Sequence, residues 1–149
     1  PMKVILKQDV NKLGAAGDLV ETSDGYARNF LFPKDLAVEA TPARVQEWKA
    51  RETSRKKREE KLLAEARATQ RALSGKTVRV RASAGEKGKL FGSITASNVA
   101  DAIESQLAMA VDRREIRLPD SVKQTGSYPF SIRLHPGVEV EMSLVVEAE

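Results

Sequence analysis

Ten consecutive residues, DGYARNFLFP from Asp24 to Pro33, hold a glycine, a tyrosine, an arginine, an asparagine and two phenylalanines, in a chain with only seven aromatic side chains. An arginine fork suits phosphate, an asparagine amide can clamp or read, a tyrosine ring can stack, and a glycine lets a sugar-phosphate chain come close. Together these groups equip a nucleic-acid surface. A buried corner would use the aromatics but has no use for the arginine and asparagine. Phe30 and Phe32 also meet a second need: a small unit requires apolar bulk, so at least one of them is expected in its core.

Related chemistry recurs in GEKGKLFGS, where Gly85, Gly88 and Gly92 are interleaved with Lys87, Lys89 and Phe91. A Gly-x-x-Gly stretch with lysine can bring backbone N–H groups to phosphates. The competing reading is a turn loop with Leu90 and Phe91 directed into the core. A third segment, RETSRKKREEK at residues 51–61, can follow a phosphate backbone, although its composition is equally that of a solvated helix face.

Catalytic constellations are missing. SGKT at Ser74–Thr77 imitates the tail of a phosphate-binding P-loop, but Gln70 stands where that motif needs its leading glycine, and the order is helix then strand. Gly75 reads as a helix C-cap. His135 is the single histidine and is expected to be exposed beside a hairpin turn, in register with Ser131 and Arg133, so neither a histidine metal pair nor a Ser-His-Asp relay is recognisable. With no cysteine, disulfides and thiolate metal sites are excluded. The acidic residues alternate with apolar ones or sit at salt-bridge spacing. No enzyme, metal or cofactor is expected.

The elements that must position these residues follow from periodicity. Met2, Val4 and Leu6 alternate with Lys3 and Lys7, a half-buried strand; NKLGAAGD forms a glycine loop; DLVET is a second strand and LAVEA a third. Ser23 or Asp24 can cap a short helix through Asn29, limited by Pro33. Thr41-Pro42 starts a helix free of glycine and proline up to Ser74, a rod of roughly 50 Å. With Val45 and Trp48 as a heptad seam, the next seam positions are Glu52, Arg55 and Glu59. A coiled coil would bury those charges, so the rod is a solvated connector, with Glu47–Arg51 and Glu52–Lys56 as supporting i,i+4 pairs. Val45 and Trp48 should dock on the first unit, and Leu62, Leu63 and Leu73 on or near the last.

Beyond Gly75, Val78 and Val80 alternate with Arg79 and Arg81. Val99, Ile103, Leu107 and Ala110 share a helix face, EIRLP is a short strand, and two long strands meet at Pro136-Gly137. The fold class is α+β: two small domains, at 1–41 and 75–149, each with an antiparallel sheet and a helix, joined by a long solvent-exposed helix at 42–74. The N-terminus lacks a long apolar run or cleavage site, so neither a signal peptide nor a membrane span is expected.

Net charge is +4, distributed unevenly: residues 1–41 hold 5 Lys/Arg against 6 Asp/Glu, residues 42–74 hold 10 against 5, and residues 75–149 hold 10 against 10. Residues 1–41 are thus net acidic, and if they bind a nucleic acid they must rely on shape and local contacts, with a shallower salt slope than +4 suggests.

Taken together, the MKVIL opening, the GAAGD loop, DGYARNFLFPKDLAVEAT leading into a proline-initiated helix, GKLFGSIT and SIRLHPGVEVEMSLVVE resemble the family of bacterial large-subunit ribosomal protein nine, over the whole chain. Gly14, Gly17, Gly25, Tyr26, Asn29, Phe30, Leu31, Ala37 and Thr41 fit its central signature. Thr22 replaces a usual valine, Asp35 stands where the pattern commonly has glycine, and Lys12 is the only basic residue in an unusually lysine-poor first loop.

The resemblance implies a cytoplasmic rRNA-binding protein, monomeric within the ribosome. Its partners would be large-subunit rRNA and the ribosome, with no membrane and no cofactor. The N-terminal domain would anchor near the base of the mobile side stalk while the far domain projects across the ribosome surface, and the family is linked to reading-frame maintenance. In that setting Lys12, Arg28 and Lys34 meet phosphate, Tyr26 and Asn29 fit the RNA shape, and Gly14, Gly17 and Gly25 admit its backbone. Lys87, Gly88 and Lys89 form a second candidate contact. A protein–protein strut with two end domains is the rival reading.

Overall fold

A computed structural model of the chain describes residues 1–120 and 122–149. The architecture is α+β, with two sheets and a long helix between them in sequence. Contacts divide the chain into two compact units, Pro1–Glu59 and Glu60–Glu149, with the division falling inside the long helix.

In the first unit, β1 (Met2–Leu6) is the central strand, with β2 (Leu19–Thr22) and β3 (Ala37–Glu39) antiparallel on either side. Val4 and Leu6 face a core shared with Ala27, Leu31 and Ala37, where each large side chain contributes about 1.5–3 kcal/mol by leaving water. The half-buried strand read from the alternation is corrected: Ile5, on the opposite face, is buried too. The start of the long helix is tied to this unit by two bonds: Trp48 Nε1–H donates to the Gly17 carbonyl, in the loop before β2, at 2.7 Å, and Arg44 Nη1 to the Glu39 carbonyl, in β3, at 3.2 Å.

Between β2 and β3 the chain forms one helical turn, α1 (Asp24–Tyr26), capped by the Ser23 hydroxyl accepting from the Tyr26 amide at 3.2 Å. It widens directly into a π turn over Ala27–Leu31, with the Phe32 amide donating to the Ala27 carbonyl. The helical stretch thus runs two residues past Asn29 and still ends before Pro33.

The long helix, α2 (Pro42–Leu73), begins as its sequence demands: the Arg44 amide donates to Thr41 Oγ1 at 3.3 Å, with proline in the first helical position. Residues 53–62 are all exposed, in keeping with a solvated connector. Of the leucines expected on or near the second unit, Leu73 is buried, Leu63 is half-buried, and Leu62, 50% exposed, lines a groove with Ile132 and Leu134; Ala66 is buried as well. Glu52 pairs most closely with Arg55 at 2.9 Å, an i,i+3 contact, with Lys56 acting on it only at longer range. Gly75 stops the helix with φ +71°.

The second unit orders its sheet β4-β7-β6-β5, with β4 Thr77–Ala82, β5 Ile116–Arg117, β6 Gly126–His135 and β7 Val138–Ala148. β6 and β7 are the expected hairpin, turning at Gly137 with φ +80°. β4 runs parallel to β7, where an antiparallel sheet was expected. Helix α3 (Ala96–Leu107) carries a Thr95–Asn98 capping box and contributes Val99 and Ile103 to a core with Val78, Ile132 and Leu144. α3 ends when Ala108 turns left-handed, φ +56°, so Ala110 lies off the helix and is exposed. His135 is half-buried, not exposed, because a bulge between Arg133 and His135 breaks the alternation that put them on one face.

Candidate nucleic-acid interface

The α1–π segment sorts its side chains sharply. Ala27 and Leu31 point into the core, while Tyr26, Arg28 and Asn29 lie exposed, and Phe30 and Phe32 pack half-buried at the edge. The expectation of a core phenylalanine is therefore met only in part: Leu31 takes the fully buried place. Tyr26 stacks on Phe30 with centroids 5.0 Å apart at 18°, and Lys34 Nζ sits 4.5 Å over the same Phe30 ring. Residues 26, 30 and 34 thus form a ladder that ends in an ammonium group. Among the described residues the side chains of Arg28 and Asn29 have no ion-pair or hydrogen-bond partner, so a guanidinium fork and an amide stand ready beside an aromatic face.

The three predicted glycines separate. A Cβ on Gly14 would meet Asp18 Oδ2 at 2.9 Å, Leu6 Cδ1 at 3.2 Å and Val20 Cγ1 at 3.3 Å, so this glycine is required by packing inside the protein. Gly17 has φ +91° and is required by the turn. Gly25 has neither constraint: its φ is not positive, and the nearest side-chain atom is Asn29 Nδ2 at 4.0 Å. It leaves a bare patch of backbone beside Arg28 and Asn29.

The amides of residues 13–18 in the first loop are already committed within the protein. The amides of Leu13 and Gly14 donate to Val10, that of Ala15 to Asp18 Oδ2, that of Ala16 to Asp9 Oδ1, and that of Gly17 to Leu6. Lys12, exposed at φ +67°, is the only base the loop presents. The sequence-predicted residues 24–34 are brought together on one segment; Lys12, Gly14 and Gly17 belong to the separate loop before β2.

In the second unit, Glu86–Gly88 forms a short 3-10 turn with Lys87 at φ +61° and Gly88 at φ +75°. A Cβ on Gly88 would strike Thr125 Oγ1, so packing and backbone geometry both demand this glycine. Leu90 packs against the core as expected, but Phe91 is 80% exposed, which corrects the inward reading.

Residues 2–48 match the family model for the N-terminal domain of ribosomal protein L9, and residues 64–148 match the model for its C-terminal domain. The chain belongs to the ribosomal protein L9 family. Similar relatives include the large ribosomal subunit protein bL9 of Acetivibrio thermocellus, 46% identical over 99% of this chain and 100% of the relative. Those of Heliobacterium modesticaldum and Moorella thermoacetica are 41% and 46% identical, each over 99% of this chain and at least 99% of the relative. L9 is a family of ribosomal proteins, not of enzymes. No helix among the described residues is long and apolar enough to cross a membrane.

Asp35 occupies a left-handed position with φ +55°, a geometry that favours glycine. Its carboxylate accepts from Lys7 Nζ at 2.6 Å. Sequence reading missed the Tyr26–Phe30–Lys34 ladder, though its i,i+4 spacing was visible. The expected docking of Trp48 on the first unit is met by its bond to the Gly17 carbonyl, 31 residues away.

Proposed function

We propose that this L9 family member is a structural constituent of the large ribosomal subunit that binds large-subunit rRNA through its N-terminal domain, residues 1–41. Tyr26, Arg28, Asn29 and Lys34 form the contact face, Gly25 admits the RNA backbone, and Lys12 adds charge from the neighbouring loop. Gly14 and Gly17 shape that loop. Residues 42–74 act as a spacer that holds the domain of residues 75–149 at a distance, and the protein works as a monomer within the cytoplasmic ribosome.

The observation that carries this reading is the unpartnered Arg28 and Asn29 beside the exposed Tyr26–Phe30–Lys34 ladder, on the face away from Ala27 and Leu31. The names of the bL9 relatives support the ribosomal setting. Stacking on such a ring is worth about 1–3 kcal/mol per base, enough to offset the net acidic charge of residues 1–41. Cross-linking of the full chain to large-subunit rRNA, mapped by mass spectrometry, tests it. Cross-links should concentrate on residues 24–34. Cross-links confined to residues 85–92 would reject the assignment.

The exposure of Phe91 favours a second, lesser contact through Lys87, Gly88 and Lys89. The same map reads it as a separate cluster.

A further inference from the structure

Where the first loop lines the groove beside α2, at Ala16–Asp18, anions must be met by side chains, since the amides there are already bonded within the protein. The loop offers one base, Lys12, and its two carboxylates, Asp9 and Asp18, serve its own amides. Facing it across a groove of about 380 Å³ is one side of α2, which contributes Trp48, Arg51, Arg55 and Arg58 opposite Gly17 and Asp18. The spacing 48, 51, 55, 58 alternates three and four residues, so these side chains share a helix face. The bond from Trp48 Nε1 to the Gly17 carbonyl orients that face toward the loop.

The three arginines are not equivalent. Arg55 is held by Glu52 through bonds of 2.9 and 3.2 Å. Arg51 and Arg58 flank that pair, both exposed, and among the described residues neither has an ion-pair or hydrogen-bond partner. A structural helix face laced with salt bridges would have paired them. Two free guanidinium forks two helical turns apart, about 10.5 Å along the axis, suit a repeating anion.

We propose that Arg51 and Arg58 bind the phosphate backbone of RNA, extending the contact of the N-terminal domain along the first part of α2. The inference rests on the rRNA-binding reading and supplies the charge that residues 1–41 lack. It makes these two residues sequence-independent phosphate contacts, which position RNA without reading it.

The test uses the full chain with Arg51→Gln/Arg58→Gln, glutamine having nearly the helix propensity of arginine. Affinity for large-subunit rRNA and for unrelated RNA of equal length is measured over a potassium chloride series. Far-UV circular dichroism confirms the helix. A control, Lys49→Gln/Lys56→Gln, removes the same charge from the opposite side of α2. Loss of two phosphate contacts should lower the log–log salt slope by about 1.4–1.8, on both RNAs, with less than half that change in the control. An unchanged slope in a variant that still binds rRNA would overturn this inference alone, and so would an equal drop in the control, which would mean bulk charge. Failure of the unaltered chain to bind rRNA would overturn the rRNA-binding reading and this inference together.

Discussion

The glycine loop before β2 and the α1–π segment after it lie within one small unit, and both carry glycines and polar residues in a pattern that suggests a phosphate site. They use them oppositely. In the loop, Gly14 is filled around by Leu6, Val20 and Asp18, Gly17 holds a turn, and the amides and carboxylates satisfy one another. In the segment, Gly25 is uncrowded, Arg28 and Asn29 have no partner, and the rings are stacked but still exposed. A polar group already bonded at home contributes to stability. One left without a partner at the surface costs nothing in water and is available to a ligand.

The largest effect expected from this contrast is on stability. Gly14→Val should destabilise the N-terminal unit by about 1–3 kcal/mol through overpacking, measured by denaturant titration; a change within about 0.5 kcal/mol would show that the loop can yield. Gly25→Ala should do the reverse, stabilising by about 0.5–1 kcal/mol as alanine replaces glycine in a helical turn, while weakening rRNA binding because the bare backbone patch is filled. Equal affinity with the added methyl would remove Gly25 from the contact.

A smaller effect concerns Glu52. Its pKa is held below the ordinary 4.5, chiefly by the hydrogen bond from Arg55. Because the folded value is the depressed one, the pair's stabilisation is present above the unfolded value and is lost as pH falls through the folded value. On an exposed helix face the effect on stability is slight. Its effect on binding is more telling: Glu52→Gln frees Arg55 beside Arg51 and Arg58, and the salt slope should steepen by about 0.7–0.9 at neutral pH. No change would mean that the groove does not meet phosphate.

Much of the fold was legible because local chemistry dictates it. Thr41-Pro42 starts α2, Gly75 ends it, and the alternation through Phe130–Leu134 and Val138–Val146 yields the hairpin. The missing parts depend on groups distant in sequence or on small backbone irregularities. The parallel pairing of β4 with β7 joins Thr77 to Ser143, and no local pattern reports such a partner. One bulge turned His135 inward, and a left-handed Ala108 cut Ala110 from its helix. Phe91 misled because apolarity argues for burial, while its loop carries it outward. In the candidate interface the residue types at 24–34 were readable. Whether a given arginine is free was not, since this depends on where Glu52, Asp18 and Asp9 find their own partners.

The most direct test of the central claim compares two full-chain variants binding large-subunit rRNA at one salt concentration. Tyr26→Ser/Arg28→Gln removes the exposed face of the first unit, and Lys87→Gln/Lys89→Gln removes the basic loop of the second. The first should weaken binding by about 1–3 kcal/mol, roughly fivefold to 150-fold, with the fold retained and stability lowered by no more than about 1.5 kcal/mol for the lost Tyr26–Phe30 stack, while the second keeps most of the affinity. Retained affinity in the first variant, with loss in the second, would contradict the account and move the anchor to the C-terminal domain.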